Sequence, residues 1–370
     1  MKWEYGRRRR ERGRRGQLLL IILLIGVLVV AGYALVRTGV FQRLLWPSEE
    51  GSVLGQDAAA SADEDAGYVD SQFMMDTYVS IRAFGEAAES AVAAAFEEMR
   101  RVEALMSRFI PTSDVSRVNQ AAGAEPVQVS EEAFMLIERA LEWSEASGGA
   151  FDVTIGPVVD AWGFGGDDPR VPDPDALAKA VALVSFRAIE LDPVRKTVRL
   201  ATPGMCLDLG GIAKGYAADR AAAVLRERGV KHALIDAGGN IVAVGSRPDG
   251  TPWHIGIRDP RGSSPTDTIG PVVEVSDAAV VTSGDYERFF IAEGQRYHHI
   301  FDPKTGMPAN LAESVTIVAP NSLDADALST AVFVLGPSEG LKILEGLEGV
   351  SAMVVDSRGQ LVYSPGFPGH

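Results

Sequence analysis

The sequence predicts an α+β protein: a layered α/β domain on a mixed or antiparallel sheet, preceded by one N-terminal transmembrane helix. Three observations predict it. Short β-rich runs alternate with amphipathic helical stretches, and glycine-centred turns join several of the runs as hairpins do. The only cysteine is Cys206, so no intrachain disulfide can form and stability must come from an ordinary core, which a folded part of roughly 300 residues is long enough to bury. Finally, residues 17–36 contain no charge at all.

Residues 1–16 carry one Lys and seven Arg against two Glu, leaving 27 of the 35 basic and 48 of the 50 acidic residues to the rest of the chain. So acidic a body argues against a nucleic-acid partner. The segment QLLLIILLIGVLVVAGYALV (17–36) is long enough to cross a bilayer. The arginines before it mark 1–16 as a cytoplasmic tail, so the part after the segment faces outside the cell membrane as a single-pass protein. A cleaved signal peptide is the competing reading, because Gly32-Tyr33-Ala34 is a weak cleavage signal, but secretory apolar cores are shorter, at about 7–15 residues. Residues 37–68 read as a flexible linker, rich in Ala, Ser, Gly and acid over 47–68, and 69–370 as the folded domain.

Within that domain, FMMDTYVSIRAF (73–84) reads as a strand and residues 85–107 as a helix with Val92, Phe96, Met99 and Val102 on one face. Ser130 looks like the N-cap of a helix over 131–147, with Glu131 and Glu132 suited to its dipole and Gly148-Gly149 ending it. Residues 210–229 read as a helix, followed by hairpin-like strands around Ala237-Gly238-Gly239. SVTIVAP (314–320) is a strand before the helix LDADALSTAVFVLG, and SAMVVDSRGQLVYS closes the chain as a hairpin.

The familiar motifs are missing: no Walker A loop, no dinucleotide-binding glycine triplet, no HExxH, no CxxC and no GxSxG. Four other constellations carry chemistry. Asp326 and Thr330 stand four apart on one helical face; a carboxylate and a hydroxyl are hard ligands suited to Mg2+, although a capped helix start explains the same spacing. In LDLGGIAKG (207–215), Asp208 precedes a glycine pair opening a helix that carries Lys214, which is either a phosphate cradle or a close-packed turn. Phe151, Trp162 and Phe164 could rim a flat ring or pack in the core. In YHHIFDPKTG (297–306), one of His298 and His299 is a candidate proton carrier, since alternation along a strand sends the two to opposite faces.

Together and in this order, MDT (75–77), SRFIPTSDVSRVN (107–119), GGAFDVTIGPVVDAWGFG (148–165), LDLGGIAKGYAAD (207–219), DAGGN (236–240), TSGDYERF (282–289), HHIFDPKTGMP (298–308) and DADALSTA (324–331) resemble the ApbE family, the flavin transferases also called FAD:protein FMN transferases. The resemblance implies an ApbE-like fold and a reaction in which the FMN half of FAD moves to a Ser or Thr hydroxyl of an exported acceptor protein, releasing AMP. It implies Mg2+, or alternatively Mn2+, held by Asp326, Thr330 and the backbone carbonyl of Gly211. It also implies FAD contacts from Met75, Phe109, Ala150, Phe151, Asp152, Asp208, Lys214 and Ile300, and proton handling by His299. Two positions depart from the family pattern: Asp76 stands where many relatives have Gly, and Phe109 where many have Tyr. Two other functions remain open on sequence: Mg2+-dependent hydrolysis of FAD to FMN and AMP, and a membrane-anchored FAD carrier without turnover. Having Asp326, Thr330 and His299 together weighs against a carrier, which needs neither a metal nor a base.

Overall fold

The computed structural model describes residues 67–164, 166 and 168–369. The basic tail, the apolar segment 17–36 and all but the end of the linker lie outside them. In chain order the strands are β1 (Tyr68–Met74), β2 (Thr77–Ala83), β3 (Val127–Gln128), β4 (Ile189–Asp192), β5 (Thr197–Leu200), β6 (Ala233–Ala237), β7 (Asn240–Val244), β8 (Trp253–Ile255), β9 (Val273–Val275), β10 (Ala279–Gly284), β11 (Phe289–Ala292), β12 (Gln295–His298), β13 (Ala312–Ala319), β14 (Ser351–Asp356) and β15 (Leu361–Tyr363). The helices are α1 (Ala88–Met106), α2 (Asp114–Gln120), α3 (Glu131–Ala146), α4 (Gly156–Trp162), α5 (Pro174–Val181), α6 (Ala213–Glu227) and α7 (Ser322–Gly340).

Eight strands form the main sheet, in the order β1-β2-β6-β7-β10-β13-β14-β15. Each neighbouring pair is antiparallel, so of the two arrangements the sequence allowed, the sheet takes the antiparallel one. Helices α1, α6 and α7 cover one face and share the main core with it. The β8–β9 ribbon and Phe367 pack a second core against the other face. Because β6 and β7 are covered on both sides, ALIDA and NIVAV are buried at every position.

Several elements begin or end where local chemistry dictates. The run 73–84 is not one strand. Met75 and Asp76, with φ of 51° and 60°, make a left-handed two-residue turn between β1 and β2, the geometry tight hairpins require. β1 also starts at Tyr68, one residue inside the stretch read as linker. Ser130 caps α3 as expected, its side chain accepting from the Ala133 amide.

Helix α6 starts at Ala213 rather than 210, because Gly210 and Gly211 belong to a turn. Its first turn abuts that of α7. A Cβ on Gly215 would lie 2.2 Å from the Ser322 carbonyl oxygen and 2.9 Å from the Asp326 Cβ. The start of α7 is held by Asn321, whose side chain accepts from the Asp324 amide, and by Asp219, whose carboxylate accepts from the amides of Ser322 and Leu323 at 2.9 and 2.8 Å. Among the described residues, Ser322–Leu344 is the one helical stretch long and apolar enough to cross a membrane; here it packs against β10, β13 and α6 in the core.

Gly215→Ala tests this contact. Alanine raises helix propensity by about 1 kcal/mol, but its methyl would overlap a carbonyl, and overpacking costs about 1–3 kcal/mol. A net destabilisation of about 1–2 kcal/mol is expected in equilibrium denaturant unfolding; an unchanged midpoint would show that the two helix starts have room.

Candidate active site

One cavity of about 630 Å3 opens beside the starts of α6 and α7, a volume within the range of small-molecule sites. The twelve residues singled out from the sequence, Met75, Phe109, Ala150, Phe151, Asp152, Asp208, Gly211, Lys214, His299, Ile300, Asp326 and Thr330, all lie on its walls. They arrive from the β1–β2 turn, the loop after α1, the loops before α4 and α6, the segment after β12, and α7.

Asp326 is only 3% exposed. Its Oδ2 accepts from the Gly215 amide at 2.9 Å, and its Oδ1 lies 3.5 Å from Lys214 Nζ. Asp326 therefore does not cap its own helix; Asn321 does. The Gly215 amide is therefore already occupied by this carboxylate. Thr330 follows one turn later, and a Cβ on Gly211 would come 3.3 Å from its Oγ1 and 3.0 Å from the Phe151 ring. Glycine thus keeps clear the space between loop and hydroxyl.

These residues fit a hard divalent cation. One carboxylate, one hydroxyl and a nearby carbonyl suit Mg2+, which uses few protein carboxylates and completes its shell with water and substrate phosphate oxygens. Among the described residues there is no cluster of three or more His, Cys, Asp or Glu side chains placed to hold a metal, which disfavours a zinc-type site.

The aromatic residues divide. Phe151 is buried against Gly211, Phe164 lines the cavity, and Phe109 is 55% exposed at its edge with the Arg108 guanidinium 4.6 Å from the ring centre. Trp162 is a core residue: it is fully buried, donates to the Gly306 carbonyl at 2.7 Å and packs on Tyr297 and Phe301. The carboxylate of Asp152 is engaged by its own loops, accepting from the Thr154 amide and hydroxyl and from the Phe186 amide. Burial pushes its pKa up against those hydrogen bonds.

The adjacent histidines separate as alternation predicts. His298 is buried under Phe333, its Nε2 2.8 Å from the Ala309 carbonyl. His299 lines the cavity with Nδ1 3.2 Å from the Arg288 carbonyl. A carbonyl only accepts, so Nδ1 carries the proton and Nε2 keeps its lone pair. Removal from water, with Arg288, His298 and Lys214 adding repulsion, drives the His299 pKa down to about 3. The ring is neutral near pH 7, as a proton acceptor must be. The rest of DPKTG is structural: Asp302 accepts from the Lys304 amide and the Thr305 hydroxyl, closing a turn.

Sequence reasoning gave no role to Arg108, Glu287 or Arg288, which also line the cavity. Arg108 is nearly buried and bridges Asp160 at 2.6 Å and Asp208 at 2.9 Å, so it fixes the Asp208 carboxylate. Its signal was a lone arginine beside Phe109 in a loop, which reads equally well as a solvated charge.

The ApbE family model matches residues 75–354. The chain is 40% identical over 306 residues to an FAD:protein FMN transferase of Treponema pallidum (strain Nichols), covering 78% of this chain and 84% of that one. It is 38% identical over 277 residues to another of that name from Klebsiella pneumoniae (strain 342), covering 75% and 85%. Among solved structures, the ApbE protein of Thermotoga maritima superposes with a TM-score of 0.75 at 35% identity over 80% of this chain and 97% of that one. The flavin transferase ApbE from Vibrio cholerae gives 0.72 at 28% identity over the same shares.

With five histidines in the chain, 15N histidine NMR can follow His299 directly. The ring is expected to stay neutral at pH 5 and to protonate far below the ordinary 6.5, toward about 3. Since the unfolded chain takes up this proton first, the contribution of His299 to folding stability declines as pH falls from 6.5 toward 3. Protonation near 6.5 in the folded protein would mean that the ring is solvated.

Proposed function

The chain belongs to the ApbE family and is a transferase, and on that premise we propose that it moves the FMN half of FAD onto a Ser or Thr hydroxyl of an exported acceptor protein, releasing AMP, with a divalent cation at Asp326 and Thr330. The observation that carries this reading is the convergence of those two side chains, Gly211 and a neutral His299 on one cavity wide enough for a dinucleotide. The uncharged segment 17–36 supports a membrane anchor with this domain on the outer side.

The bond broken is the P–O bond of the pyrophosphate, and the bond formed joins the FMN phosphorus to the acceptor oxygen. Asp326 Oδ1, the Thr330 hydroxyl and the Gly211 carbonyl would hold Mg2+ or Mn2+, which when bound offsets the negative charge that grows on the departing AMP. Lys214, 3.5 Å from Asp326, places a second positive charge beside the phosphates. Phe151 and Phe109 offer ring surfaces to the isoalloxazine, and Arg108 holds Asp208 in position. His299 Nε2 accepts the proton of the attacking hydroxyl, with Nδ1–H retained by the Arg288 carbonyl.

Asp326→Ala removes the single carboxylate of the cation site. A metal centre supplies several kcal/mol of transition-state stabilisation, so flavin transfer should fall by about a hundredfold or more, while circular dichroism keeps the native helix and sheet signal. The assay combines the full chain, FAD, Mg2+ and a candidate exported acceptor, and reads the acceptor's intact mass for added FMN. Fast AMP release without acceptor would instead mark a hydrolase. Stoichiometric FAD binding without AMP would mark a carrier, and full activity of the variant would sink the cation assignment.

A further inference from the structure

We infer that Asp76 is a positioning residue for His299, acting through Arg288. This deepens the reading above and rests on it for the role of His299. Register supplies the first half of the argument. Phe289 of β11 pairs with His298 of β12, so Arg288 and His299 continue that ladder beyond the strands, and the His299 amide donates to the Arg288 carbonyl at 3.1 Å. The same carbonyl takes the ring Nδ1 at 3.2 Å. Whatever holds residue 288 in place therefore sets both the backbone and the ring of His299.

The side chain of Arg288 is what ties it down. Nη2 donates to the Phe164 carbonyl at 3.0 Å and lies 3.5 Å from Asp76 Oδ2. Asp76 is a firm anchor. It occupies the left-handed turn between β1 and β2, where the Met75 amide donates to Glu103 Oε1 at 2.9 Å. The next residue, Thr77, presses on Gly238 so closely that a Cβ there would fall 2.1 Å from its Oγ1. The β11–β12 arm packs Phe290 and Tyr297 into an aromatic cluster apart from the main core, with Trp162, Phe164 and Phe301; its far end joins the main core through His298 on Phe333 and through Ile300. Asp76–Arg288 is thus an ionic tie from the sheet to the arm that carries His299.

The size of the effect follows from exposure. Asp76 and Arg288 side chains are 61% and 45% exposed, and exposed pairs contribute only modestly, so loss of the tie should slow proton transfer about threefold to fivefold. The charged and titratable groups acting on His299 are Arg288, His298 and Lys214, with Glu287 on the same cavity wall.

The test uses the full chain in detergent with its histidines 15N-labelled. Wild type should show one His299 tautomer, protonated at Nδ1. Asp76→Asn keeps a residue that tolerates the left-handed turn. It should mix the tautomers and lower flavin transfer from FAD to the candidate acceptor, with Mg2+ present, about threefold to fivefold, with KM for FAD within about twofold. Asp76→Glu should recover most of both signals. An unchanged tautomer in Asp76→Asn would overturn the inference, as would equal losses in both variants with a raised KM. A wild type that releases no AMP and flavinylates no protein would instead defeat the functional reading, leaving the NMR result to decide the role of Asp76.

Discussion

The site depends on one contact, the Asp326 carboxylate receiving the Gly215 amide where the first turns of α6 and α7 meet. Burying a carboxylate is costly unless its oxygens are satisfied, and here one oxygen is satisfied by the start of a second helix. Glycine at 215 lets the backbones come close enough, and Asp219 and Asn321 hold the far side by taking the first amides of α7. Asp326 and Thr330, one helical turn apart on α7, both lie on the cavity wall. Neither helix would present these groups without the other.

Charge placement around that contact divides the cavity. Arg108, nearly buried, is locked between Asp160 and Asp208, and its pKa is pushed up by these partners despite desolvation. It acts as a fixed cation, its buried Nε left without a hydrogen-bond partner. Lys214 is more exposed and pairs with Asp326 at a long 3.5 Å, which leaves it freer to respond to phosphate. The same cationic surroundings that suit a pyrophosphate keep His299 unprotonated and weaken it as a base, so phosphate recognition and base strength pull against each other here.

Much of this was legible in the sequence, for reasons specific to each element. Helices α1 and α3 announced themselves through apolar spacing and the Ser130 cap, and Gly238-Gly239 marked the β6–β7 turn through the left-handed backbone they adopt. The β1–β2 hairpin was hidden because Met75 and Asp76 take left-handed conformations that Gly or Asn usually signals. The late start of α6 was hidden because its amide partner, Asp326, lies 111 residues away. Trp162 stayed open between a ring rim and the core since nothing local tells a buried indole from an exposed one; its partner carbonyl, Gly306, lies 144 residues on. Spacing alone left Asp326 and Thr330 ambiguous between a cap and a cation site, and the position of Asn321 removes the first choice. Family resemblance supplied what spacing could not, namely which loops converge.

The aromatic cluster around Trp162 stands apart from the main core. Damage there would loosen one side of the β11–β12 arm, while His298 and Ile300, which flank His299, stay packed with the main core. Such damage would shift His299 within its pocket rather than release it, so it would register in turnover before it registered in the stability of the eight-stranded sheet.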